Sequence, residues 1–188
     1  VQKHFKDVYG FERGFQADGT PFEHLFEDFE RFQVGNIEAR ALPTPGHTSD
    51  HLTYHIGDAI FVGDSLFMPD GGSARADFPG GDARVLYQSI QRLLSLPDEL
   101  RLFMCHDYMH NGRDVEYETT VKHQGEHNMH VHSGISEDAF VAMREKRDAT
   151  LRMPRLIIPS LQINMRAGHL PEADSNGTVY LKVPLDTL

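Results

Sequence analysis

Tryptophan is absent from this chain of 188 residues, and cysteine occurs once. A single cysteine, Cys105, excludes an internal disulfide and fits a reducing compartment. Set in an apolar run, it reads as a small buried core residue rather than a nucleophile. No apolar stretch approaches the roughly 20 residues that a membrane-crossing helix requires. The N-terminus, Val1-Gln-Lys-His-Phe-Lys6, lacks the apolar segment of a secretory signal. Positive charge is also in short supply. Eighteen Lys and Arg stand against 28 Asp and Glu, a formal net charge of −10, which argues against nucleic acid and against an anionic membrane surface as partners. A cytoplasmic location is the expectation. Repeats and low-complexity segments are missing too.

What is present is enough for a core. Hydrophobic residues make up 39% of the chain, and its length is that of one domain or most of one. Histidine is abundant, with 12 residues. The chain begins at Val1, and Val1, Phe5, Val8 and Tyr9 share a helical face, so the sequence reads as if entered in mid-helix. A truncated N-terminus is therefore expected.

The strand and helix signals alternate. Residues 1–9 read as a helix and 10–19 as a Gly-rich loop. Residues 22–32 are acidic and Phe-rich, with Phe22, Phe26 and Phe29 at helical spacing or in a loop packed by aromatics. Gly35-Asn36 is a turn, and Ile37–Leu42 alternates as a strand. Leu52–Ile56 and Ala59–Val62 flank Gly57-Asp58 as a hairpin. The second run is apolar throughout, as for a strand buried on both faces. Residues 69–82 form a long Gly/Pro-rich loop of the kind that tends to be functional. Asp82 caps a helix over 83–96 whose stripe is Val85, Leu86, Ile90, Leu93 and Leu94. Arg101–Cys105 is the next strand. Residues 114–130 read as a polar helix carrying His123 and His127 four apart; such a pair can bind metal, but on so polar a helix a solvated face is the plainer reading. Ser136 caps a helix running to about Leu151. Leu156–Ser160 is short and apolar, 164–168 is irregular, and Asn176-Gly177 turns into a final strand, Thr178–Val183. This alternation predicts an α/β fold with helices outside the strands.

Three strand ends deliver side chains of the metal-ligand type. Pro43-Thr-Pro-Gly-His-Thr-Ser-Asp-His51 presents His47, Phe61-Val-Gly-Asp-Ser65 presents Asp64, and Leu102-Phe-Met-Cys-His-Asp-Tyr108 presents His106. Gly46 and Gly63 let the backbone turn sharply before His47 and Asp64. Imidazole and carboxylate held at strand ends are the parts of a metal site. Loop caps and turns are the plainer alternative.

These segments resemble a known family. Thr44-Pro-Gly-His-Thr48, Val62-Gly-Asp-Ser-Leu-Phe67 and Cys105-His-Asp-Tyr108 look like the later metal motifs of the metallo-β-lactamase fold superfamily. Gly72-Ser-Ala-Arg-Ala-Asp-Phe-Pro-Gly-Gly81 and Asn164-Met-Arg-Ala-Gly168 resemble its persulfide dioxygenase branch, especially the bacterial β-lactamase-hydrolase-like proteins. The resemblance covers nearly the whole chain. It implies an αββα sandwich, of which residues 1–188 would be a single, partial C-terminal domain. The superfamily's His-x-His-x-Asp-His motif occurs nowhere in the sequence and would lie upstream of Val1.

The same resemblance implies mononuclear Fe(II) held by His47, Asp64 and an upstream histidine, a facial triad that leaves positions for sulfur and O₂. His106 would then serve outside the iron shell, or as a ligand of a second metal. Arg75, Tyr108 and Arg166 would line a glutathione site, with Arg75 matching a carboxylate in a bidentate fork. A salt bridge from Arg75 to Asp77 or Asp82 is the alternative for that residue. Asp50 and His51 depart from the expected pattern, as exposed groups or as modifiers of the metal's surroundings. The implied reaction converts glutathione persulfide, O₂ and water to sulfite and glutathione, and a homodimer is compatible with it. The rivals are a glyoxalase II-like thioester hydrolase using two Zn²⁺, with His106 as a ligand, and an inactive fragment or interaction module.

Overall fold

The computed structural model describes residues 1–11 and 14–185, with the side chains of His4 and Asn111 excepted. Its residues fall into two compact units, one of residues 26–151 and one of residues 1–25 with 152–188. Among the described residues no helix is long and apolar enough to cross a membrane.

The larger unit is a mixed sheet with helices. β1 (Arg31–Val34) and β2 (Ile37–Pro43) pair antiparallel, with Val34 opposite Ile37 across the predicted turn. Gly35 supplies the positive φ of that turn, +61°. β2 pairs with β3 (Leu52–Ile56), and β3 with β4 (Ala59–Phe61) across Gly57-Asp58. β4 then pairs in parallel with β5 (Arg101–Phe103), Ile60 opposite Leu102. β6 (Glu118–Thr120) closes the order antiparallel to β5.

The parallel step needs a crossover, and α2 (Ala83–Leu94) provides it. Asp82 caps it as expected, its carboxylate accepting the Val85 N–H at 2.9 Å. Leu86, Ile90 and Leu93 face the sheet and pack with Ile60, Val62 and Leu102, all essentially without exposure. α3 (Val121–His127) and α4 (Glu137–Asp148) add Val121 and Phe140 to this core. Thr120 and Ser136 cap their N-termini, accepting from the His123 and Ala139 amides.

In the smaller unit, α1 (Gln2–Val8) and α5 (Ile157–Asn164) contribute to a second apolar cluster centred on Phe5, Tyr9 and Met165. Pro159 is tolerated in the first turn of α5, where amides have no intrahelical acceptor.

Several local expectations are corrected. Of the two readings for residues 22–32, the loop packed by aromatics describes 22–30 and the helix does not; the run leads into β1, and Phe26 packs on Phe32 and Tyr54 with centroids 4.8 and 5.7 Å away. β4 is not buried on both faces: Phe61 is 43% exposed and stacks on Phe103. The predicted helix over 114–130 shortens to Val121–His127, because Glu118–Thr120 satisfies its backbone on the sheet edge instead. Leu156–Ser160 enters a helix. Thr178–Val183 forms no strand; Lys182 is fastened by its backbone to the Gln162 side chain, 2.8 Å in each direction. Cys105 lies beyond the end of β5 and is exposed, not in the core.

Candidate metal centre

The loop between β2 and β3 is pressed onto the first turn of α2. Gly46 has φ +133°, and a Cβ there would stand 2.3 Å from the Leu86 backbone. The Asp82 amide donates to Gly46 O at 2.9 Å and ties the loop to the helix cap. This fixes the next residue, His47, whose side chain is 13% exposed. Its Nδ1 lies 2.7 Å from Arg75 O. A carbonyl can only accept, so Nδ1 carries the hydrogen and Nε2 is bare in the neutral ring. That bare nitrogen is 3.8 Å from Asp64 Oδ2.

Asp64 sits in a 3₁₀ turn, Gly63–Ser65, just past β4. Gly63 has φ +55°, and a Cβ there would meet His51 Nε2 at 2.4 Å. The close approach is functional for the turn, because His51 Nε2 accepts the Asp64 N–H at 3.0 Å. His51 Nδ1 therefore bears the hydrogen and donates to Thr44 Oγ1 at 2.9 Å, and Thr44 Oγ1 in turn bonds Thr53 Oγ1. Burial pushes the His51 pKa down, and neighbouring His47 lowers it further. His51 is thus neither an exposed group nor a ligand in waiting: both its nitrogens are engaged in holding the two strand ends.

His106 follows β5 and is the most open of the three, 56% exposed. Its Nε2 is 3.3 Å from Asp64 Oδ1. That approach lacks hydrogen-bond geometry, and Oδ1 is a buried acceptor with no donor. A buried carboxylate oxygen without a donor, facing bare or adaptable imidazole nitrogens, is what a divalent cation would satisfy, and two imidazoles with a carboxylate suit Fe(II) or Zn²⁺. The two imidazoles face different oxygens of Asp64. Among the described residues no group of three or more His, Cys, Asp or Glu side chains is arranged to hold a metal ion by itself.

Around this centre the other predicted residues are placed differently. Arg75 grips Asp77 with Nε and Nη2, at 2.5 and 2.6 Å, and lies over the Phe78 ring. The salt-bridge alternative thus describes its conformation in this structure, with Asp77 rather than Asp82. Tyr108 is exposed and meets Phe67 edge-on at 5.2 Å. Arg166 belongs to the smaller unit, where it is buried over the Phe11 and Phe15 rings, 4.3 and 4.8 Å from their centroids. His123 and His127 are exposed with ring centroids 4.5 Å apart, on the solvated face expected of them.

Arg113 was not legible as a site residue. It binds Asp70 through Nε and Nη2 at 2.8 Å, and Asp107 through Nη1 and Nη2 at 2.7 Å. Asp107 also accepts the Met109 and Glu116 amides. The Arg113 guanidinium, with those amides, holds the Asp107 carboxyl far below the usual carboxylate range. The loop that carries His106 and Tyr108 is bolted to the one that carries Asp70.

Known proteins bear on this arrangement. A family model described as "Metallo-beta-lactamase superfamily" matches residues 2–106. A "Beta-lactamase hydrolase-like protein" of Agrobacterium fabrum is 51% identical over all of this chain and 43% of its own length. "Glyoxylase B2" of Dictyostelium discoideum is 45% identical over all of this chain and 65% of its own. The crystal structure of ETHE1 from Myxococcus xanthus superposes with a TM-score of 0.68 at 35% identity, covering 77% of this chain and 60% of that one. The chain spans about two fifths to two thirds of the length of its curated relatives.

Proposed function

Since the chain belongs to the metallo-β-lactamase superfamily, we propose that it is part of an iron-dependent persulfide dioxygenase that takes glutathione persulfide, O₂ and water to sulfite and glutathione. The observation that carries the metal reading is the Asp64 carboxylate, whose Oδ2 lies 3.8 Å from the bare Nε2 of His47 and whose buried Oδ1 has no donor. The dioxygenase reading is supported by the likeness to ETHE1 of Myxococcus xanthus, and by the resemblance of the Ala74-Arg-Ala-Asp-Phe78 loop beside His47 to the persulfide dioxygenase branch.

His47 and Asp64 would be two of the iron ligands. Iron held there supplies redox chemistry toward O₂ and affinity for a soft persulfide sulfur. The chain's own residues set the stage. Arg75 O keeps His47 in one tautomer, and His51 holds the Asp64 backbone. Phe78 packs edge-on against the His47 ring, centroids 5.0 Å apart, and screens one side of it from water. Arg75 would exchange Asp77 for a glutathione carboxylate, and Tyr108 stands at the open side near His106.

A di-zinc thioester hydrolase is the second reading. It is favoured by the 3.3 Å approach of His106 Nε2 to Asp64 Oδ1, which suits a carboxylate shared between two metals, and by the likeness to Glyoxylase B2. Metal analysis and turnover of the full-length protein separate the two. The dioxygenase requires a single iron per chain and O₂ uptake on glutathione persulfide. Two zincs with thioester hydrolysis would sink it. His47→Ala and Asp64→Ala should abolish iron binding, and His106→Ala should not.

A further inference from the structure

The loop that receives the His47 hydrogen is held from behind by a buried ion pair. Arg144 and Asp148 lie one turn apart on α4 and are 2% and 4% exposed. Arg144 Nε donates to Asp148 Oδ1 at 3.0 Å, and Nη2 lies 2.8 Å from the same oxygen in the ion pair. As a source of stability such a pair is weak, because desolvating two charges offsets most of their attraction. Its remaining groups point at backbone. Arg144 Nη1 donates to Ser73 O at 3.1 Å, and Asp148 Oδ2 accepts the Ala76 N–H at 2.8 Å. The Ser73 amide donates in turn to His130 Nδ1 at 3.0 Å. The chain is therefore clamped on either side of Arg75, and it is the Arg75 carbonyl that accepts from His47 Nδ1 at 2.7 Å.

We propose that Arg144 and Asp148 are positioning residues for His47: they fix the Arg75 carbonyl, and through it the Nδ1–H tautomer that leaves Nε2 bare toward Asp64. A charged pair suits the task. The carboxylate and the guanidinium each bond both to the other and to one side of the loop, so neither can move without breaking a buried, charge-assisted bond. For its consequence on metal binding the inference rests on the ligand role proposed for His47; the tautomer itself can be read without metal.

The test uses metal-free protein labelled with ¹⁵N-histidine, near pH 8, with long-range ¹H–¹⁵N correlation reporting the tautomer of His47. The unmodified chain should show the Nδ1–H form. Asp148→Ala and the milder Arg144→Lys, which keeps the charge but cannot fork to Ser73 O, should both give a mixture, with the Nε2–H fraction raised several-fold. Phe140→Leu lies on the same helix and faces the core; it should lower the melting temperature while leaving His47 as it was. A folded Arg144→Lys protein that keeps the pure Nδ1–H form overturns the proposal, and so does a Phe140→Leu protein that loses it equally. In the full-length protein, titrated with Fe(II) or Zn²⁺ alone, Arg144→Lys should weaken binding about 10- to 100-fold, the range for groups that orient a ligand. A shifted tautomer with unchanged metal affinity supports the positioning role and overturns the ligand role of His47. Weakened metal binding with an unshifted tautomer overturns the positioning role.

Discussion

His51 Nε2 accepts the backbone N–H of Asp64 at 3.0 Å, so a second histidine of the Gly-His-Thr-Ser-Asp-His loop serves as scaffold for the neighbouring strand end. His51→Ala leaves the Asp64 amide without its acceptor and frees Thr44. The expected cost is about 1–3 kcal/mol in urea unfolding, together with metal affinity reduced about 10- to 100-fold. Unchanged values on both counts would remove His51 from the site.

The two strand-end glycines should respond differently to alanine. At Gly46 the new methyl meets the Leu86 main chain at 2.3 Å, which cannot yield without moving α2. At Gly63 it meets the His51 ring at 2.4 Å, which can rotate away. Gly46→Ala is therefore expected to cost about 3 kcal/mol or more and Gly63→Ala about 1–2 kcal/mol. The order reverses for metal affinity, since displacing His51 releases Asp64. Chemical denaturation and metal titration of the same two variants check both halves.

Stability should fall as the pH drops from about 6.5 toward 4. His130 is partly buried beside Arg144 and Arg147 and accepts the Ser73 amide, and its folded pKa is lowered to about 4, first by burial and then by those cations. The unfolded chain then binds the proton that the folded chain refuses, so stability rises with pH across this window. His130→Asn keeps an acceptor for Ser73 without a titrating group. Its melting temperature should change less between pH 7 and pH 5 than that of the unmodified chain, measured in the same buffers.

Arg113→Gln should loosen the His106 loop in a pH-dependent way. The Asp107 carboxyl is held below its ordinary value mainly by Arg113, a stabilisation present above the unfolded pKa and lost as the pH falls toward the folded one. The variant should melt lower than the unmodified chain at pH 7, with the gap narrowing below pH 4. Amide exchange at Met109 and Glu116, which donate to Asp107, should accelerate.

The parts readable in the sequence are those written by local rules. Gly35-Asn36, Gly57-Asp58, Asp82 and Ser136 announce turns and caps through backbone chemistry that needs no partner far away. Gly46 and Gly63 mark sharp turns for the same reason, and they flag the residues that the structure brings together, His47 and Asp64. Long-range partners were hidden. Nothing near Arg113 says that it will hold Asp70, and nothing in α4 says that Asp148 will bind the Ala76 amide. Glu118-Thr-Thr120 is too short and polar to stand out as a strand; its place on the sheet comes from β5. Cys105 lies outside the core because β5 ends two residues sooner than its apolar run.

The parallel pairing of β4 with β5 also bears on how the chain reaches this state. Among the described residues, every other ladder joins strands that follow each other closely, so β1–β4 and β5–β6 can each zip locally. Only Ile60 meeting Leu102 requires the chain to close over the 66–82 loop and α2. That closure carries the loop entropy before its contacts repay it. Trimming the sheet-facing side of α2, as in Ile90→Val, should therefore slow folding. A cut of similar cost at the β1–β2 edge should chiefly hasten unfolding. His47 and Asp64 lie on one side of this junction and His106 on the other, so the three meet only when this closure is complete.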